Sequence, residues 1–256
     1  MAYYTRSGPR SFDSFGFGGL VPRGIKWLLI TNTVLWLVYF LALRLGLGST
    51  LWLFRALSLV PDWVLHGAFW QPVTYLFLHD PGGFSHILFN MLMLWMFGSD
   101  LERDWGRRRF LNYYFVCGIG AGLCDVAARL LFSGNTSTAT IGASGAIYGV
   151  LLAFGLLYPH RTILFALVFP IPARVFVLIL GAIAFLSTIA GTRDTVAHVA
   201  HLGGMVIGYF YLRYRPAFLD IDWTDSLRRW QRRRAQRKFE VYMKKRDRHG
   251  GGGWTN

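Results

Sequence analysis

From Lys26 to Leu212 the chain alternates long apolar runs with short polar stretches. Runs of about 20 apolar residues are the signature of membrane spans. The pattern predicts six. The first covers residues 26–46. The second opens near His86, after "DPGG", with Ser85 as the expected N-cap, and ends near Gly98. The third covers 110–132, the fourth Ser144 to Tyr158, and the fifth 163–190, with "PIPAR" pointing to a true start near Arg174. The sixth covers 196–212. Between the first two lies a loop of about 38 residues, Leu47 to Phe84, rich in aromatics: Trp52, Trp63, Trp70, Tyr75 and Phe77. A loop of that length and composition is expected to carry its own structure and to lie in the membrane interface. The expectation is an all-α membrane protein, a bundle of six transmembrane helices with a large membrane-interface first loop.

The ends differ from this core. Residues 1–25 are Gly- and Ser-rich, without helical period, and read as a disordered cytoplasmic N-terminus. The first apolar run is too long for the core of a secretory signal and reads as a span that also anchors. Residues 26–214 form the membrane domain. Residues 215–256 form a basic cytoplasmic tail, with a helix expected from about Ser226 to Arg248 and a "GGGG" end.

Composition agrees: 54% of the residues are hydrophobic and 16% charged, where soluble domains carry about a quarter charged. The formal charge of +14 is concentrated at the ends and in alternate loops. Arg6, Arg10, Arg23 and Lys26 precede the first span. Arg103, Arg107, Arg108 and Arg109 follow the second, and His160, Arg161 and Arg174 follow the fourth. Basic loops are cytoplasmic loops, so both termini are expected inside the cell and the first loop outside. A multi-pass protein of a bacterial plasma membrane is the expected setting. Nucleic-acid binding is not expected of the tail. It is either a solvated extension or a contact for anionic lipid headgroups, with Trp230, Phe239 and Tyr242 as interfacial anchors. Cys117 and Cys124 lie seven apart in one run and read as buried packing thiols.

The polar residues inside the runs carry the chemistry. The fourth run has about 15 residues, roughly 22 Å of helix against a hydrocarbon core of about 30 Å. His160 and Arg161 pin its inner end, so Ser144 at the outer end is expected below the membrane surface. A polar turn at that depth is tolerated where it lines a wet cavity or is covered by protein. Packing of small residues around the serine is the plainer alternative. His201, with His198 three residues earlier, sits one to two turns into the sixth run. His86 and Asn90, four apart, share a face at the start of the second. Three spans thus bring a serine, histidines and an asparagine to one depth. A serine beside an imidazole makes an activated nucleophile. Asn90, His86 and the Ser144 amide are candidate donors to an oxyanion. No carboxylate lies near Ser144 or His201 in sequence, Asp194 being the nearest, so a dyad is expected. Tyr148, one turn below Ser144, is placed to stack on the imidazole.

The residues from about Trp70 to Gly208 resemble the rhomboid intramembrane serine proteases. The resemblance rests on "FLHD…HILFN" (His79, His86, Asn90), "FGSDLERDWG" (Gly98, Glu102, Gly106), "GASG" with Gly142, Ser144, Gly145 and Tyr148, and "AHLGGMVIG". In that family glycines follow the catalytic histidine at +3 and +7. Gly204 and Gly208 fit His201 and exclude His198. The resemblance implies Ser144 as nucleophile and His201 as general base. It implies His86, Asn90 and the Ser144 amide as the oxyanion hole, and Tyr148 stacked on His201. It places Glu102 in a structural network at the cytoplasmic end of the second span. It further implies cleavage of transmembrane protein substrates in the bilayer, with neither metal nor organic cofactor. The fifth span and the loop before the sixth would be the substrate gate. One departure is Gln71, where the family often has arginine after Trp70; it bears on first-loop stability. Two other readings stay open: a catalytically silent rhomboid-like scaffold that binds transmembrane helices, and a transporter whose intramembrane His and Asn line a pathway.

Overall fold

The computed structural model describes residues 21–165, 169–190, 195–214 and Arg234. Most of residues 1–25, all of the tail except Arg234, and Asp194 therefore lie outside the described residues. The described chain is mostly helical. It runs through α1 (Arg23–Arg44), α2 (Gly48–Leu57), α3 (Pro61–Leu65) and α4 (Gln71–Thr74). There follow α5 (Phe84–Met93), α6 (Ser99–Trp105), α7 (Arg107–Ala128), α8 (Ser144–Leu157), α9 (Ala173–Ile189) and α10 (Thr195–Tyr214).

Several boundaries differ from the sequence expectation, each for a local reason. The helix of the first span begins at Arg23, so residues 23–25 are ordered. The Glu102 carboxylate accepts from the amides of Gly24 (2.8 Å) and Ile25 (2.7 Å). It satisfies two of the donors that a helix start leaves open, where Pro22 supplies no side-chain cap. Ser85 is not an N-cap. That place belongs to Gly83, without a side-chain cap, because Asp80 turns the chain first by accepting from the Gly82 amide at 2.9 Å. The second helical run does not stop at Gly98. It passes through a π-turn, Leu94–Gly98, into α6 and stops at Gly106, whose φ of +81° suits glycine.

The fold is not purely helical. Thr162–Phe165 and Phe169–Pro172 pair as an antiparallel hairpin, Thr162 opposite Pro172 and Ile163 opposite Ile171. The helix that follows starts at Ala173, close to the expected Arg174. The aromatic first loop folds as α2 to α4 followed by a 3-10 turn at Tyr75–Phe77. Its Gln71 is fully buried and accepts from the Val60 amide (2.9 Å) while donating to the Ala56 carbonyl (3.1 Å). The residue that departs from the family pattern is thus a fastening of this loop.

At the centre, α10 packs on α7, α8 and α9. Small residues allow the approach. A Cβ on Gly204 would run into the Gly145 carbonyl oxygen, and one on Gly145 would sit 2.5 Å from the Ala121 Cβ. Cys117 is buried in this contact and Cys124 is only half-buried, so the second thiol is less enclosed than expected; both are free. By length and composition, Arg23–Arg44 and Arg107–Phe132 are each sufficient to cross a membrane, and α8 and α9 are shorter apolar helices. Trp27, Ile30, Val34, Leu37 and Leu41 of α1 are exposed, as are Leu178, Ile183, Leu186 and Ile189 of α9. Apolar surface on this scale does not suit water.

Candidate active site

Ser144 opens α8, and its position follows from the strand-like segment before it. Thr140 makes a two-way backbone bridge with Leu59, and the Gly142 amide donates to the Tyr75 carbonyl at 3.0 Å. Gly142 has φ +121°, a conformation open to glycine and strained for other residues. The chain then turns into the helix with Ala143 as N-cap and no side-chain cap. The first amides of α8, that of Ser144 included, have no partner within the helix.

His201 lies in the second turn of α10. Its Nε2 is 2.8 Å from the Ser144 Oγ. Its ring lies flat on Tyr148, with centroids 4.2 Å apart and planes 5° apart. The imidazole Nδ1 is buried with no hydrogen-bond partner among the described residues. His198 meets His201 edge-on, centroids 5.9 Å apart, and it is His201 that reaches the serine. The close contact of Gly204, one turn after His201, with Gly145, the residue next to Ser144, brings α10 near enough for that bond. Gly208 lies farther along α10, against Tyr113 and Cys117 of α7.

His86 and Asn90 stand on α5. A Cβ placed on Gly142 would be 3.1 Å from the His86 Nε2, so the ring edge abuts the residue two before the serine. The Asp80 amide donates to the His86 Nδ1 at 3.4 Å. That leaves the proton of a neutral ring on Nε2, toward the site. The Asn90 Nδ2 donates one hydrogen to the His86 carbonyl (3.0 Å) and keeps a second. His79, fully buried, lies with its ring 5.1 Å from that of His86. Burial, and second the neighbouring His86, lower its pKa from 6.5 to about 3. Glu102 is remote from this cluster, at the start of α1.

A cavity of about 340 Å³ opens at the serine, lined by His86, Asn90, Ser144 and Tyr148 at one end. Phe89, Met93, Ile147, Leu151 and Leu180 form an apolar wall between α5, α8 and α9. Among the described residues no group of three His, Cys, Asp or Glu side chains is placed to hold a metal ion. Sequence reasoning missed Asp80, whose amide orients His86 and whose carbonyl accepts from the Trp36 indole at 2.9 Å. "DPGG" carried the signal for a turn but not for its tether.

The family model described as the Rhomboid domain matches residues 66–217. The chain belongs to the rhomboid family. It is therefore an integral membrane protein. It is similar to Rhomboid protein 1, mitochondrial, of Saccharomyces cerevisiae, with 36% identity over 133 residues, 50% of this chain and 37% of that one. The rhomboid protease AarA of Providencia stuartii is 32% identical over 168 residues, 59% of this chain and 56% of its own. The putative rhomboid protease YdcA of Bacillus subtilis is 30% identical over 177 residues, 64% of this chain and 82% of its own. The chain thus spans between about a third and just over half the length of the yeast and Providencia rhomboids.

Proposed function

We propose that this rhomboid is an intramembrane serine endopeptidase that cleaves transmembrane segments of membrane proteins with a Ser144–His201 dyad. The observation that carries the reading is the 2.8 Å contact between the serine oxygen and the imidazole nitrogen. His201 Nε2 takes the hydroxyl proton as Oγ attacks the scissile carbonyl carbon. The negative charge on the carbonyl oxygen is met by the His86 Nε2–H, the free Asn90 Nδ2–H and the Ser144 N–H. One such donor is worth about 100- to 1000-fold in rate. The carbon–nitrogen bond breaks, His201 returns the proton to the departing amine, and an ester on Ser144 remains. Water then enters and gives a proton to His201 as its oxygen bonds the acyl carbon. The carbon–Oγ bond breaks, and His201 returns the proton to the Ser144 Oγ as the acid leaves. Tyr148 keeps the ring aligned throughout, and Gly142 and Gly145 leave room around the nucleophile.

Six spans make up the membrane domain, with both termini cytoplasmic and the first loop on the far side. In this topology α8, at 14 residues, is about 21 Å long and falls short of a hydrocarbon core of about 30 Å. Ser144 stands below the outer surface, and the cavity beside α9 receives the unwound substrate. The basic tail contacts anionic headgroups. The test is cleavage of a single-span protein in liposomes by the purified chain. Cleavage by the parent and none by Ser144→Ala supports the reading. Transmembrane-helix binding without cleavage by either would favour the silent scaffold.

A further inference from the structure

Asp125, in the last turn of α7, and Arg129, four residues on at the start of the π-turn Arg129–Ser133 that continues it, form an ion pair inside an apolar helical run. Asp125 is fully buried and Arg129 nearly so. The Arg129 Nε donates to both Asp125 oxygens at 3.3 Å, and its Nη2 donates to the Thr140 Oγ1 at 2.9 Å. The Thr140 hydroxyl in turn donates to the Asp125 Oδ2 at 2.7 Å. The triangle is closed: each bond of the hydroxyl has a charged partner.

We propose that Asp125, Arg129 and Thr140 are positioning residues that fix the segment from Thr140 to Ser144, and with it the serine, its amide and the Gly142 face against His86. This rests on the protease reading. Three facts point to it. A buried ion pair is a weak source of stability, since desolvation offsets its attraction and apolar replacements are often as stable. Stability alone therefore does not call for charges at this depth. Second, among the described residues the pair's hydrogen bonds leave its own helical run only for Thr140, four residues before the nucleophile. Third, that residue is a crossing point. Its backbone bridges Leu59 of the first loop, two residues on Gly142 bonds Tyr75, and its side chain ties the same segment to α7. The backbone bonds set the segment's direction. The charged triangle sets its distance from α7, against which α8 and α10 also pack. Misplacement by about 1 Å at a reacting group costs on the order of 100-fold in rate, so a partial loosening should be visible in turnover.

The test compares Thr140→Val, which keeps shape and removes the hydroxyl, with Thr140→Ser, which restores it. A double variant, Asp125→Leu with Arg129→Met, removes the charges together. Turnover in liposomes is measured with hydrogen exchange of the amides from 141 to 145. Thr140→Val is expected to lower kcat by about tenfold, leave KM unchanged and speed exchange in that segment. Thr140→Ser is expected to return both. The double variant should melt within a few degrees of the parent and still turn over slowly. Thr140→Val at the parent's rate and exchange, a serine variant as slow as the valine one, or a folded double variant at full rate would each overturn the proposal. A parent that cleaves nothing would instead sink the protease reading, and the exchange comparison would still decide whether the triangle holds the segment.

Discussion

The His201 imidazole lies parallel to the Tyr148 ring at 4.2 Å while its Nε2 points at the Ser144 Oγ, 2.8 Å away. Nothing among the described residues holds the other ring nitrogen. Where a triad would orient the imidazole with a carboxylate, a flat aromatic contact stands here. Tyr148→Phe should therefore keep most of the turnover, since the ring remains. Tyr148→Ala should lower kcat by about 2- to 10-fold, the worth of one aromatic contact, without altering the melting temperature in proportion. Equal losses for both variants would assign the effect to the hydroxyl.

The seam between α8 and α10 admits no side chain at Gly204. Gly204→Ala should destabilise the fold by about 1–3 kcal/mol and separate His201 from Ser144. Thermal unfolding in detergent and turnover should fall together. A variant that melts like the parent would mean that the helices can part without cost.

Glu102 closes the start of α1. Glu102→Ala should cost about 1–3 kcal/mol, because it strands the Gly24 and Ile25 amides. Glu102→Gln keeps one acceptor and should cost less. Both leave the site untouched, so turnover per folded molecule should hold. Gln71→Leu should likewise destabilise through the orphaned Val60 amide; the Ala56 carbonyl retains the Trp70 indole at 2.9 Å.

The buried His79 gives stability a pH dependence. In the unfolded chain it gains a proton below its ordinary 6.5, and in the fold only near 3. Protonation therefore favours unfolding. Its contribution is fully present above pH 6.5 and is lost progressively as pH falls toward 3. Melting temperatures between pH 7.5 and 4.5 should fall more steeply for the parent than for His79→Phe. Parallel slopes would exclude His79 as the source.

Much of this arrangement was legible because hydrocarbon is an unforgiving solvent. A serine, two histidines and an asparagine inside apolar runs stand out, and helix periodicity gives their faces. What the sequence hid is rotation and distance. Depth and periodicity alone did not separate His198 from His201; the family pattern of Gly204 and Gly208 singled out His201, and the distance to the serine came only with the structure. The hairpin at 162–172 escaped because Ile163, Leu164, Phe165 and Phe169 read as part of an apolar helix; Pro170 and Pro172 were the available warning. Ser85 misled because Asp80 had already made the turn. Asp125 and Arg129 were visible as an i, i+4 pair, but not their joint partner Thr140, 11 residues beyond the arginine.

The central claim is that Ser144 is activated by His201. The most direct measurement is covalent labelling of the detergent-purified chain by a fluorophosphonate probe, beside Ser144→Ala and His201→Ala. Labelling of the parent and of neither variant is the predicted result. A folded parent that takes no label, or a Ser144→Ala variant that labels as the parent does, would contradict it.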